Sequence, residues 1–110
     1  MANTWNDQIA YDPIRAEMRS RIEELWREFR KMKIPDIVRR AEMLRSLGDK
    51  HGFEPVRQIA GSLAEAIERD GRGAIIPAYL QTLLEAVYCD SQEPDAGERF
   101  LASVQVRLAG

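Results

Sequence analysis

The sequence predicts an all-α fold, an antiparallel four-helix bundle, from three observations. Apolar residues recur at steps of three and four along four segments, as on the buried face of an amphipathic helix. Prolines stand near the starts of these segments, and glycines follow the ends of the second and third. The 110 residues, 45% of them hydrophobic and 31% charged, suffice for one core. Four such helices with short connections bury their apolar faces most simply when neighbours run antiparallel.

The first predicted helix follows the turn-prone "YDP", and the second follows the first after a short connection. The first covers about residues 13–31, and its apolar positions are Ile14, Met18, Ile22, Leu25, Trp26, Phe29 and Met32. The second begins near Pro35, where Asp36 suits the positive end of the helix. It should end at Gly52, and its apolar positions are Ile34, Ile37, Val38, Ala41, Leu44 and Leu47.

The third predicted helix opens at Glu54 and Pro55 and closes at "RDGRG", where glycine takes the left-handed conformation of a helix cap. Its apolar positions are Val56, Ile59, Leu63, Ala66 and Ile67. The fourth carries Pro77 in its first turn, and its apolar positions are Ile76, Leu80, Leu83, Leu84 and Val87. These four helices place the core within about residues 12–90.

Two shorter segments flank this core in a single domain of residues 1–110. The N-terminal "NTWNDQIAY" is predicted to form a short lid helix over one end. After the polar loop "DSQEPDAGE", the stretch "ERFLASVQVRL" is predicted to be a short helical segment that caps the bundle or pairs with a partner. Residues 91–110 are therefore expected to be a loop and a C-terminal helical extension.

Basic and acidic residues are unevenly divided along the chain. Between Ile14 and Lys50, eleven Lys or Arg stand against seven Asp or Glu, a balance of +4 that leaves −6 for the rest. For most of these residues a solvated face of mixed sign is the favoured interpretation, and an acidic partner is the functional one. Nucleic acid is not an expected partner, because acidic residues alternate with the basic ones and the net charge is −2.

Several classes of protein are disfavoured by what the sequence lacks. No stretch approaches the ~20 apolar residues of a membrane span, and the N-terminus has no basic start followed by an apolar run. We therefore expect a soluble, cytoplasmic monomer without membrane contact. The single cysteine, Cys89, cannot form an internal disulfide. Because the sequence has no phosphate loop, paired metal motif or nucleophile with a readable base, we expect no cofactor, no metal and no catalytic residue.

Residues 41–53, "AEMLRSLGDKHGF", resemble the signature of histidine phosphotransfer (HPt) domains, written roughly A-H-x-L-K-G-x-x-x-x-x-G-F. The positions that match are Ala41, Leu44, Gly52 and Phe53, and Arg45 keeps the charge of the family's lysine. The resemblance extends to the helix order and the "RDGRG" turn, over about residues 12–90. It implies an HPt-like four-helix bundle in two-component or phosphorelay signalling.

The departures from the signature imply a protein that does not transfer phosphate. Glu42 occupies the position of the phospho-accepting histidine, and Ser46 that of the following glycine. The family needs a neutral imidazole that attacks an aspartyl phosphate and holds the group as a labile phosphoramidate. A glutamate cannot do this, and no magnesium-binding acidic cluster for acyl phosphate chemistry surrounds Glu42 in sequence.

The face of Glu42 is instead predicted to bind a receiver domain of a response regulator or a sensor histidine kinase. At steps of three, four and seven, the residues that share this face are Val38, Arg39, Arg45, Ser46 and Asp49, joined by Arg27 or Arg19 from the neighbouring helix. The basic members would complement the acidic pocket of a receiver. Glu42 then either imitates phosphohistidine or abolishes transfer while the face still binds; the alternative is an exposed helix former that balances Arg39 and Arg45.

Two further functions stay open on the sequence. An active phosphotransferase could use His51, the only histidine. It lies about half a turn around the helix from Glu42, so this function requires a local bend at Gly48. A helical adaptor unrelated to signalling could instead use the "ERFLASVQVRL" tail.

Overall fold

The computed structural model of the protein describes residues 13–71, 73, 75–89 and 93–109. These residues form five α-helices and no strand, which confirms the all-α prediction. The helices are α1 (Pro13–Glu28), α2 (Ile34–His51), α3 (Glu54–Asp70), α4 (Ile75–Val87) and α5 (Pro94–Ala109), with a 3-10 turn at Phe29–Lys31. The predicted lid, residues 3–11, lies outside the described residues. None of the described helices is long and apolar enough to cross a membrane.

The helix ends follow the proline and glycine pattern of the sequence. Pro35 stands in the first turn of α2, where its missing N–H needs no partner. Gly52, with φ 78°, ends α2 in the left-handed conformation, and the N–H of Phe53 donates to the carbonyl of Gly48 at 2.8 Å. Gly71, with φ 75°, ends α3 in the predicted "RDGRG" turn.

One core joins the helices. α1 contacts α2 and α4, and α3 contacts the same two helices, with the most extensive contact between α2 and α3. The largest fully buried side chains are Met18, Ile22, Leu25, Ile37, Leu44, Val56, Ile59, Leu63, Ile67, Ile76, Leu80 and Leu83. All of them were predicted apolar positions, because a helical period places them on one face of each helix.

Two close approaches fix how these helices meet. Gly48 is buried where α2 passes the start of α3, and a Cβ there would lie 2.8 Å from the backbone N of Arg57. Only a glycine permits this distance without a backbone shift. At the same end, Arg15 of α1 donates from Nε to the carbonyl of Val87 at 2.7 Å, and its guanidinium lies 5.0 Å from the ring centre of Phe53.

α5 corrects the prediction for the C-terminal segment. The predicted loop ran to residue 98, whereas α5 already begins at Pro94 and packs against both α3 and α4. Ala96 and Val104 are buried. Near its end, Arg107 donates to the hydroxyl of buried Thr82 and to both carboxylate oxygens of Glu85, at 3.1 and 3.0 Å. α5 is therefore an integral part of the packed domain.

Candidate functional site

Glu42 lies in the middle of α2 with its carboxylate already engaged. Arg45, one turn later, donates from Nε to Glu42 Oε2 at 2.9 Å. The two side chains are 44% and 42% exposed. The stem of Arg45 rests against α3 at Gly61, where an added Cβ would lie 3.2 Å from Arg45 Cδ. Arg45 therefore leans toward α3 and holds the carboxylate of Glu42 from that side.

A groove between α1 and α2 opens on the other side of Glu42. Its volume is about 380 Å³. The lining residues are Arg21, Arg39, Glu42, Met43, Ser46, Leu47 and Lys50. Met43 is 42% exposed, whereas Leu47 is half-buried and also packs against the core. The groove thus has an apolar floor and a basic rim.

The groove includes three of the residues predicted to bind a partner on the face of Glu42, namely Glu42, Arg39 and Ser46. The other four lie elsewhere. Arg45 is turned toward α3, Val38 is half-buried against the core, and neither Asp49 nor Arg27 lines the groove, although both are exposed.

A rotation around α2 explains this division. Successive residues turn by about 100°, so positions three and seven after Glu42 lie on one side of it and positions one, five and eight on the other. Arg45 and Asp49 belong to the first set, and Met43, Leu47 and Lys50 to the second. The second set faces Arg21 of α1 across the groove. Glu42 therefore stands on the ridge between two faces.

The sequence prediction missed Arg21, Met43, Leu47 and Lys50 as groove residues. Leu47 had been assigned to the core, which it also contacts. Met43 was the available signal, since it is a large apolar residue next to Glu42 and off the buried stripe, and Leu47 and Lys50 follow it at helical spacing.

The charges of the groove are unequally satisfied. Arg39 donates to Asp36 at 3.0 Å. Arg21 is 3.6 Å from Glu17, and its Nε is buried without a hydrogen-bond partner among the described residues. Lys50 forms no ion pair with any of the described residues. Arg21 and Lys50 are therefore the less fully paired cations of the groove.

His51 lies outside this groove. It is the last residue of α2, exposed and directly before the left-handed Gly52. Together with Lys50 it places a basic residue beside the negative end of the helix. α2 runs unbroken from Ile34 to His51, so it contains no break at Gly48 that would carry His51 toward Glu42.

The clearest electrostatic perturbation lies at the start of α3. A hydrogen bond from Arg57 lowers the pKa of Glu54 from 4.5 to about 2, although burial opposes this shift, and Gln58 adds a second donor. On α4, burial raises the pKa of Tyr79. Neither residue lines the groove. Among the described residues, no three His, Cys, Asp or Glu side chains lie together as a possible metal site.

Comparison with known proteins adds no assignment. No protein-family model, curated protein or solved structure matches the chain. The function proposed below therefore depends on the resemblance of residues 41–53 to the HPt signature and on the geometry around Glu42.

Proposed function

We propose that this chain is a non-catalytic, HPt-like protein that binds receiver or kinase domains and so regulates two-component signalling. The order of helix contacts supports an antiparallel four-helix bundle made by α1 to α4, because α1 and α3 each lie against both α2 and α4. In this arrangement α5 is a fifth helix that packs on α3 and α4.

The observation that carries the proposal is the position of Glu42. It lies at mid-helix, half-exposed, on the ridge of the basic groove and at the position of the acceptor histidine in the HPt signature. A receiver domain presents an acidic pocket, and Arg39, Arg21 and Lys50 offer a rim of the opposite charge. Ser46 is small and exposed, so a partner can approach α2 closely.

Of the two roles for Glu42, the geometry supports loss of transfer rather than imitation of phosphohistidine. Its single negative charge is compensated at 2.9 Å by Arg45. A phosphoryl group carries nearly two charges and three acceptor oxygens. The face offered to a partner is therefore basic, and Glu42 contributes little net charge to it.

Binding and labelling experiments with purified domains test the proposal. We expect a receiver or kinase domain to bind the wild-type chain and to bind Arg39→Glu/Lys50→Glu at least about tenfold more weakly, because two attractive contacts become repulsive. Lys33→Glu/Arg99→Glu is the matched control, since both of its positions are exposed and lie outside the groove.

The same mixtures also distinguish the competing functions. We expect no acid-labile phosphate on the wild-type chain after incubation with a phosphorylated receiver or an autophosphorylating kinase. Labelling that disappears in His51→Ala would replace the proposal by an active phosphotransferase. If no receiver or kinase domain binds, a helical adaptor that uses α5 becomes the better assignment, and Val106, 72% exposed on that helix, is the residue to test next.

A further inference from the structure

The α1–α2 groove also has the size and lining of a small-molecule site. Its volume of about 380 Å³ falls within the range of ligand pockets, which are commonly found between helices of a bundle. Met43 and Leu47 supply an apolar floor, and Ser46 adds a hydroxyl. Such sites combine an apolar surface with a few polar groups that fix the ligand's orientation.

Two cations of the groove have no anion within hydrogen-bond distance. Arg21 Nε is buried without an acceptor, and the distance of 3.6 Å to Glu17 is too long to satisfy it. Lys50 forms no ion pair with any described residue. The buried Nε itself is closed to a ligand, but the Arg21 side chain is 40% exposed and Lys50 is exposed. An anion in the groove would therefore be attracted by both charges.

The other charged groups of the groove are already satisfied within their own helix. Arg39 is held by Asp36, and Glu42 by Arg45. A ligand that suits the groove therefore combines an anionic group beside Arg21 and Lys50 with an apolar body over Met43. An inorganic anion would leave the exposed thioether uncovered. A neutral apolar molecule would leave Lys50 without an anion and Arg21 with only its ion pair to Glu17 at 3.6 Å.

We propose that this groove binds a small amphipathic anion, with its apolar body on Met43 and Leu47 and its carboxylate head group held by Arg21 and Lys50. The site goes beyond the protein partner proposed above and does not depend on it. If both bind, they compete, because Lys50 and Arg39 belong to the same rim.

Calorimetric titration with decanoate tests this site on the full chain. We expect saturable binding of one equivalent, with the largest NMR shifts at the amides of Met43, Ser46 and Leu47. Acetate, which lacks the apolar body, and decyl maltoside, which lacks the charge, should bind on the order of tenfold more weakly or not at all, below micelle-forming concentrations.

Variants identify the two halves of the site. Met43→Gln and Lys50→Gln should each weaken decanoate binding on the order of fivefold, through loss of apolar contact and of charge respectively. Lys33→Gln, an exposed lysine just before α2 and outside the groove, should leave it unchanged. Circular dichroism checks that each variant is folded, as expected for exposed positions.

Four outcomes would overturn the proposal. Decanoate that fails to saturate, equal affinity in all variants, or equal binding of decyl maltoside would each remove the groove as an anion site. The fourth is binding to vesicles of phosphatidylglycerol without binding to free decanoate, which would assign the cations to a lipid surface instead.

Discussion

Arg45 Nε lies 2.9 Å from Glu42 Oε2, within one turn of α2, and the stem of Arg45 continues onto α3 at Gly61. The residue at the position of the HPt acceptor is thus part of an ion pair that faces α3. The negative charge of Glu42 is therefore paired rather than free to act in the groove. The location of Glu42 suits contact with a partner. Its negative charge, however, is already compensated by Arg45.

Glu42→Gln tests this compensation of charge. The change removes the charge and keeps the shape, and we expect it to lower the stability by only a few tenths of a kcal/mol, as for other half-exposed pairs one turn apart. Affinity for a receiver or kinase domain should stay within about twofold or rise slightly, since the change leaves Arg45 as one more uncompensated positive charge beside the groove. Calorimetric titration measures this affinity. A tenfold loss of binding would instead favour Glu42 as an imitation of phosphohistidine.

Gly48 and Gly61 provide a second prediction on neighbouring positions of the α2–α3 contact. A Cβ at Gly48 would meet backbone, 2.8 Å from Arg57 N, whereas a Cβ at Gly61 would meet only the flexible side chain of Arg45 at 3.2 Å. We expect Gly48→Ala to destabilise by about 1–3 kcal/mol. Gly61→Ala should be neutral or stabilise by up to about 1 kcal/mol, because alanine favours a helix interior. Denaturant unfolding compares the two variants.

Equal losses in both variants would contradict this prediction. They would mean that Arg45 cannot yield at Gly61, and the ion pair with Glu42 would then be rigid. Binding measurements on Gly61→Ala would show whether that rigidity matters for a partner.

The sequence sufficed for the four core helices because burial leaves a direct trace in it. Met18, Ile22 and Leu25 repeat at helical spacing, and so do Ile59, Leu63 and Ile67. α5 was harder to delimit, since its first turns carry Ala96 and Gly97, which pack on the domain without a large apolar side chain. Gly97 fits against Gln58 so closely that a Cβ would lie 2.6 Å from its amide. In the sequence alone, small residues that allow close helix contact cannot be told from loop residues.

The sequence predicts which residues of α2 lie near Glu42, but not which of them face α1 and which face α3. Helical spacing places Arg39 and Ser46 beside Glu42, and the groove includes both. The same spacing treats positions on the α1 side and the α3 side alike. Only the packed neighbours decide that Arg45 leans on Gly61 while Met43 and Lys50 face α1. The sequence alone does not contain that tertiary information.

Glu54 supplies a prediction for the pH dependence of stability. Arg57 holds the pKa of this carboxyl at about 2 in the folded chain, below its ordinary value of 4.5. The unfolded chain therefore binds more protons between these values, so the stabilisation is complete above about pH 4.5 and is lost as the pH falls toward 2. We expect Glu54→Gln to lose about 1 kcal/mol at pH 7, a value reduced for the partial exposure of the pair, and almost nothing at pH 2.

Denaturant unfolding at several pH values, with the wild type and Glu54→Gln side by side, measures this difference. Glu98→Gln is the control, because Glu98 is an exposed carboxylate of α5 without a described ion pair. A stability difference for Glu54→Gln that does not change with pH would show that packing, rather than ionisation, accounts for its effect.

Glu42→His places the histidine of the HPt signature at the matching position of this chain. Because the side chain is half-exposed at mid-helix, we expect the fold to tolerate the change at a cost of a few tenths of a kcal/mol. Arg45 then loses its anionic partner and stays basic beside the new imidazole. If the face descends from a phosphotransfer site, the variant should gain slow acid-labile labelling from a phosphorylated receiver that binds the wild type.

Slow labelling is expected because two neighbours differ from the signature. Ser46 in place of glycine narrows the approach to the imidazole, and Arg45 in place of lysine orients the phosphoryl group differently. Glu42→His/Ser46→Gly should therefore label faster than Glu42→His alone, which controls for the steric effect. No labelling of either variant, together with receiver binding that Arg39→Glu/Lys50→Glu leaves unchanged, would show that partners do not use this face, and the HPt-like mechanism would have to be abandoned.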